Sequence, residues 1–432
     1  MKRSNTVRLV VNKELDAKLR ELATWTAKCW NEVNWLRMQQ FKEGKRVDFN
    51  NTERKVYAKY REYLKVNASQ VCRKNAEAWR SFFALLREKK EDKSLKPRPP
   101  SYWKGERKVI LIRNDRYAVD EGSRTIYLKD FHLSLRFKGR LKWKGKQGRL
   151  EIFHDGFHWY ATIPVEVELN AKTKGNGIAG IDLGIVNLAT VAFDDGTWVL
   201  FKGGSLLSEY ENYSRKIALT QKKLSAHGQT RSKKLKALYL KRKRFLKHAL
   251  NSLVRRILKI AYDKGVSTIR VGYPRKIAQR HGNKLTVNFW NYNYIIKRLM
   301  EVSEEYGIKV IPVNEAYTSH TCSLCGEVHD SGRVFRGLFK CPHTGRTINA
   351  DLNGAINILH IPESQGGWNE GFSPSFSTGS TRGIGVNWLK TQPLVYRWTS
   401  GAGWATPTSY ETMKVKAVNH KPVNRSKGTL TL

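Results

Sequence analysis

Acid is what this chain is shortest of. Its 432 residues hold 37 Asp and Glu against 79 Lys and Arg, a formal charge of +42. A surplus of that size repels itself unless a polyanion offsets it, so nucleic acid is the expected partner. The 13 Trp and 18 Tyr interleaved with the basic residues can stack on bases, which a merely basic surface has no need to do. Long apolar runs are missing too. Nothing approaches the roughly 18 apolar residues of a membrane span, and no short amphipathic anchor dominates, so no membrane partner is expected. The opening MKRSNTVRLVVNKELDAKLR has no apolar h-region and no small-residue cleavage site. Five cysteines, three of them clustered, are too few for a disulfide framework. Together these absences point to a reducing, intracellular setting.

What is present divides the chain by pattern. Residues 6–11 read as a short strand, after which Asn12 can cap a helix with apolar residues at Leu15, Leu19, Leu22, Thr26, Cys29, Val33 and Leu36. Cys72, Ala76, Trp79, Phe83 and Leu86 repeat that spacing, which makes 12–95 a helical lobe and both Cys29 and Cys72 core residues. Pro97, Pro99 and Pro100 close the lobe. Short alternating runs over 96–170 then suggest an antiparallel β-barrel or sandwich, paired with the N-terminal strand. Beyond the polar linker at 171–177 the pattern becomes α/β. Asp194 and Asp195 belong to a hairpin turn. Residues 203–263 are helical, and Arg231 to Lys259 carries twelve Lys or Arg and no acid. An apolar stripe along that stretch leaves Lys233, Lys234, Lys241, Arg242, Lys243, Arg244 and Lys247 as candidates for holding phosphates. Strands are expected at 267–274 and 308–315, and a Gly/Ser/Thr-rich, partly disordered tail over 363–432.

The cysteine cluster at 317–347 has the spacing of a zinc ribbon. Cys322 and Cys325 form a C-x-x-C-G knuckle, and Cys341 follows sixteen residues later. A tetrahedral structural zinc wants four N or S ligands, yet Thr344 stands where a fourth thiolate would be expected. Two imidazoles could replace it, His329 first and His343 as the alternative.

Phosphodiester cleavage by divalent metals needs converging carboxylates, and magnesium prefers such oxygen ligands. Asp182 ends an apolar run and Asp351 opens a helical one just after the ribbon. Either alone is weak evidence, since strand-end and helix-start aspartates are common. Taken with GIDLGIVN at 180–187, TSHTCSLCG at 318–326 and NADLNGAINI at 349–358, the chain resembles the TnpB family of transposon-encoded RNA-guided nucleases, relatives of type V CRISPR effectors and Fanzor proteins. The likeness runs over essentially the whole length. It implies a fold of α/β plus β class: an RNase H-like (RuvC) nuclease core over 176–316 and 348–362, with the zinc ribbon inserted at 317–347. A wedge-like β-barrel over 1–11 and 96–170 would carry the helical lobe as an insertion. It further implies a guide RNA, double-stranded target DNA beside a short motif, catalytic magnesium and structural zinc.

One family feature is missing. The strand at 268–272 commonly ends in glutamate, and here it reads Val271-Gly272-Tyr273. In an RNase H-like sheet the strand at 308–315 should lie alongside, about 4.8 Å away. Glu315, at the matching end, is therefore the expected third metal ligand with Asp182 and Asp351. Two readings compete with it: Gly272 marks a nuclease-inactive, RNA-guided DNA-binding regulator, or Glu315 is an ordinary strand-end residue and Asp182 and Asp351 hold metal only weakly.

Overall fold

The computed structural model describes residues 1–91, 93, 95–104, 109–274, 284–315, 318, 320–329, 332–335, 337–361 and 392–406. The chain separates into two compact units, Met1–Leu169 and Asn170–Leu432.

In the first unit, β1 (Lys2–Leu9) leads into α1 (Lys13–Lys42), which starts where the Asn12 side chain accepts the Leu15 N–H at 2.8 Å. Helices α2 (Phe49–Leu64) and α3 (Ala68–Glu88) follow. Leu19, Leu22, Thr26, Cys29 and Val33 are buried along α1, as are Cys72, Ala76 and Trp79 on α3, the faces their spacing predicts. Arg37 is wholly buried among them, its guanidinium donating to Thr52 Oγ1, the Cys72 carbonyl and Asn75 Oδ1. Strands β2 (Ile110–Ile112), β3 (Tyr117–Asp120), β4 (Thr125–Leu128), β5 (Leu133–Lys138), β6 (Lys146–Gln147), β7 (Leu150–His154) and β8 (Trp159–Glu166) complete the unit. Among the described residues they form one antiparallel sheet, ordered β2-β7-β8-β1-β5-β4-β3 with β6 on β8. The N-terminal strand thus lies between β8 and β5. Helices and strands share a single apolar core, so the helical lobe is no separate compact body.

The second unit is built on a mixed sheet. Strands β9 (Gly177–Asp182), β10 (Asn187–Phe193) and β11 (Trp198–Lys202) form a meander, with Asp194 and Asp195 in the turn after β10. Helices α4 (Gly204–Ala226) and α5 (Lys233–Asp263) are separated by a turn at Gly228, whose φ of +66° is easy only for glycine. Next come β12 (Val266–Tyr273), α6 (Lys284–Asn288), α7 (Tyr292–Ser303) and β13 (Lys309–Asn314). A small sheet of β14 (Arg333–Phe335), β15 (Leu338–Lys340) and β16 (Thr347–Asn349) precedes α8 (Ala350–His360). Strands β17 (Leu394–Thr399) and β18 (Gly403–Ala405) close the described chain.

The main sheet runs β13-β12-β9-β10-β11-β17-β18. Its β9, β12 and β13 are mutually parallel neighbours, and β17 joins β11 in parallel. Helices α5 and α7 cover one face through a large core, while α8 covers the other. Burial on both sides explains why β10 is apolar from Leu188 to Phe193 apart from Thr190. The described part of the tail forms β17 and β18. Trp398 and Trp404 enter the main core there, and the Trp404 indole N–H donates to the Ala249 carbonyl at 3.0 Å. The low-complexity composition of the tail concealed the short alternation in LVYRWT. Trp368 and Trp388 lie outside the described residues.

Candidate functional site

Asp182 ends β9 and Glu315 follows β13 at the C-terminal edge of the three parallel strands. Val271 pairs with Ile181, which puts Gly272 level with Asp182 on adjoining strands. On the other side Gly272 pairs with Val313 and Tyr273 with Asn314, so Glu315 comes next. Residues in register share a face of the sheet. Val313 packs there on Ile358 of α8, and Glu315, two positions on, takes the same side. It shares with Ile358 the space that a side chain at 272 would need: a Cβ built on Gly272 would stand 2.8 Å from Ile358 Cδ1 and 2.9 Å from Glu315 Oε2. Burial pushes the Glu315 carboxyl up to about 7.

Helix α8 lies flush on β9 because glycine removes the obstruction. A Cβ on Gly180 would meet the Ala355 carbonyl oxygen at 2.2 Å, and one on Gly354 would meet Asp182 Oδ2 at 3.1 Å. Asp351 sits one turn before Gly354 on the same helix face. The true N-cap of α8 is Asn349, whose side chain accepts the N–H groups of Asp351 and Leu352 at 3.0 Å each. Asp351 is thereby placed in the first turn, where the helix dipole favours a negative charge. Asn187 donates to Asp351 Oδ2 at 2.6 Å.

The cysteine knuckle is a tighter cluster. One ligand atom from each of Cys322, Cys325, His329 and Cys341 lies within 4.8 Å of all the others. His329 Nε2 is 3.1 Å from Cys325 Sγ. His343, the alternative fourth ligand, falls outside this set and stacks edge-on against His329 at 4.8 Å between ring centres. His329 is carried inward by the backbone bond from its own N–H to the His320 carbonyl, while His343 sits in the exposed turn between β15 and β16. Burial pushes the Cys322 thiol up to about 12. At Cys341 burial also opposes the thiolate, but hydrogen bonds from Thr344 and from the Cys325 and Cys322 thiols together bring that thiol down to about 6. Among the described residues Asp182, Glu315 and Asp351 do not close into a comparably tight set.

Two asparagines not singled out from the sequence join knuckle and helix. Asn353 donates to the Thr321 carbonyl and accepts the Ser323 N–H, each at 2.8 Å, and Asn357 donates to the carbonyls of Thr318 and Thr321. Both are buried, four residues apart on α8. Buried amides at that spacing on an otherwise apolar helix were the available signal. The helix therefore carries Asp351 toward the sheet on one side and holds the approach to Cys322 on the other.

Along α5, Lys233, Lys234, Lys241, Lys243, Arg244 and Lys247 are exposed. Arg242 is not part of that face. Its guanidinium lies over the rings of Tyr210 and Tyr239 and donates to Ser214 Oγ at 2.9 Å, tying α5 to α4.

A family model described as a probable transposase, OrfB_IS605, matches residues 162–278, and one for the Cas12f1-like TNB domain matches 292–358. Over 401 residues the chain is 40% identical to the TnpB-like protein ORF457 of Acidianus two-tailed virus, spanning 83% of this chain and 86% of that one. The chain belongs to the TnpB-like family. The Cas12f1 endodeoxyribonuclease of Sulfoacidibacillus thermotolerans is 31% identical over 225 residues, 48% of this chain and 52% of the relative. The putative RNA-guided DNA endonuclease InsQ of Escherichia coli K12 is 26% identical over 220 residues, 46% of this TnpB-like chain and 53% of InsQ. Fold is shared more widely. Cas12f1 in its cryo-EM complex with sgRNA and target DNA superposes with a TM-score of 0.58 at 16% identity, over 81% of this chain and 83% of that one.

Proposed function

We propose that this TnpB-like chain is an RNA-guided, magnesium-dependent DNA endonuclease of transposon origin, with Asp182, Glu315 and Asp351 as its metal-binding acids. The observation that carries the reading is the exchange at the sheet edge: a glycine where a glutamate is expected, and a neighbouring strand's glutamate against the space it vacates. On this reading the main sheet is the RuvC-like nuclease core and the sheet of the first unit is the wedge-like barrel.

The three carboxylates offer the hard oxygen ligands that magnesium prefers. When bound, the metal supplies Lewis-acid stabilisation of the charge that builds on the phosphate. The chain's residues do the rest. Asp182 is held against the backbone of α8 at Gly354, and Asp351 is fixed in the first turn of that helix. Burial raises the Glu315 carboxyl to about 7, and a cation held there would favour its ionised form. The exposed lysines of α5 would follow a phosphate backbone. Pairing between guide and target would supply most of the sequence specificity, leaving the protein to read backbone shape and a short adjacent motif. The Cys322, Cys325, His329 and Cys341 set has the donors of a closed structural zinc site.

The test is cleavage of matched DNA by the protein purified with its RNA, in magnesium, for wild type and Glu315→Ala. Undiminished cutting by Glu315→Ala removes Glu315 from the site. Guided binding by wild type without any cutting makes the chain an RNA-guided DNA-binding protein instead.

A further inference from the structure

Asn187 lies outside the three acids, yet the geometry of the strand-edge loop is organised around it. We infer that Asn187 is a positioning residue for Asp351, setting the plane of that carboxylate for metal capture; the inference rests on the proposed three-acid site.

Three features converge on this side chain. The loop between β9 and β10 turns so tightly that a Cβ on Gly184 would stand 2.7 Å from the Asn187 carbonyl oxygen, which only glycine avoids. Strand β10 then breaks register: Asn187 pairs with Lys202 but Ala189 with Phe201. Such a bulge re-aims the side chain beside it. The result is the 2.6 Å bond from Asn187 Nδ2 to Asp351 Oδ2, spanning 164 residues of sequence. A neutral amide donor is the chemistry this position calls for. It fixes one oxygen of the carboxylate by a charge-assisted bond and adds no charge of its own. A lysine or arginine there would compete with a cation for the same carboxylate. An ionised aspartate there has no N–H to donate and would repel the Asp351 carboxylate. Partners of this kind, one bond behind a ligand, orient it and set metal affinity.

The experiment uses the full-length protein loaded with its RNA and reads two quantities. One is the magnesium concentration for half-maximal cutting, separated from the rate at saturating magnesium. The other is direct manganese binding by electron paramagnetic resonance, with uncleavable phosphorothioate DNA. Asn187→Ala should raise the half-saturating magnesium and weaken manganese binding by about tenfold, with a smaller fall in the saturated rate. Asn187→Asp, of the same size but without the amide donor, should likewise fail to keep the wild-type values of both. Thermal melting of the RNA-loaded variants separates this from unfolding, because a structural role alone would lower the melting temperature and leave metal affinity in place. Unchanged metal affinity in both Asn187 variants, while Asp351→Ala abolishes manganese binding, overturns the positioning role and leaves the three-acid site standing. Manganese binding that survives Asp351→Ala overturns both.

Discussion

Glu315 Oε2 lies 2.9 Å from the point where a Cβ of Gly272 would be, and Glu315 Cβ lies 3.4 Å from it. Ile358 Cδ1 is nearer still at 2.8 Å, so a side chain at 272 would have to displace both Glu315 and Ile358. Gly272→Glu alone should crowd Glu315 and set two carboxylates side by side, cutting activity sharply. Glu315→Ala alone should lower the cleavage rate by about 100-fold or more, the scale of removing a ligand that stabilises transition-state charge. The double variant Gly272→Glu/Glu315→Ala returns the acid to the strand that usually bears it, and should recover to within about tenfold of wild type. Rates for the four proteins in matched DNA make a double-mutant cycle. Additive losses would show that the positions do not exchange roles.

The cysteine knuckle yields a test of its fourth ligand. Purified protein should carry about one zinc per chain. His329→Ala and Cys325→Ser should each lose most of it, whereas His343→Ala should retain it, since His343 contacts the ring of His329 and stands outside the four-atom set. Metal analysis after dialysis reads this directly. Loss of zinc should also reduce cutting, because Asn353 and Asn357 tie the residues before Cys322 to the helix that bears Asp351. Zinc retained by His329→Ala and lost by His343→Ala would reverse the assignment.

Glu315 also predicts a pH dependence of stability. Its folded pKa of about 7 exceeds the ordinary carboxyl value, so between those two values the folded chain binds more protons than the unfolded one. The stability it contributes is present in full below the unfolded value and is lost as pH rises through 7. The difference is on the order of 3 kcal/mol by pH 8. Denaturant midpoints at pH 5 and pH 8, without added magnesium, should fall for wild type. They should fall less for Glu315→Gln, which has no charge to bury. Equal slopes for the two proteins would mean that Glu315 titrates normally.

These relationships were unequally legible in the sequence. Asn12, the apolar spacing of α1 and the knuckle spacing are local patterns, and each sits within one element. That Glu315 lies beside Gly272 was legible because adjoining strands bring their corresponding ends together. The Asn187–Asp351 bond depends on a bulge, and bulges leave no periodicity to read. The fit of Gly354 against Asp182 arises only when α8 lands on β9, and the approach of two backbones is invisible in either segment alone. Arg242 shows the limit for charge. A basic run states how many cations are present, while Tyr210, Tyr239 and Ser214 decide which one turns inward.

That division along α5 leads to a salt test. Each cation that neutralises a phosphate releases counterions and steepens the dependence of log K on log salt, by about 0.9 per contact on duplex and about 0.7 on single strands. Lys241, Lys243 and Lys247 are exposed, so replacing all three by alanine should flatten the slope for RNA binding by about 2. Arg242→Ala should leave the slope nearly unchanged and instead destabilise the α4–α5 hairpin by about 1–2 kcal/mol, through loss of its ring contacts and its bond to Ser214. Filter binding of the RNA across salt concentrations, alongside melting of the same proteins, separates the two effects. A slope that drops for Arg242→Ala as steeply as for one exposed lysine would put Arg242 on the phosphate-binding face after all, with its tyrosine contacts exchanged for nucleic acid on binding.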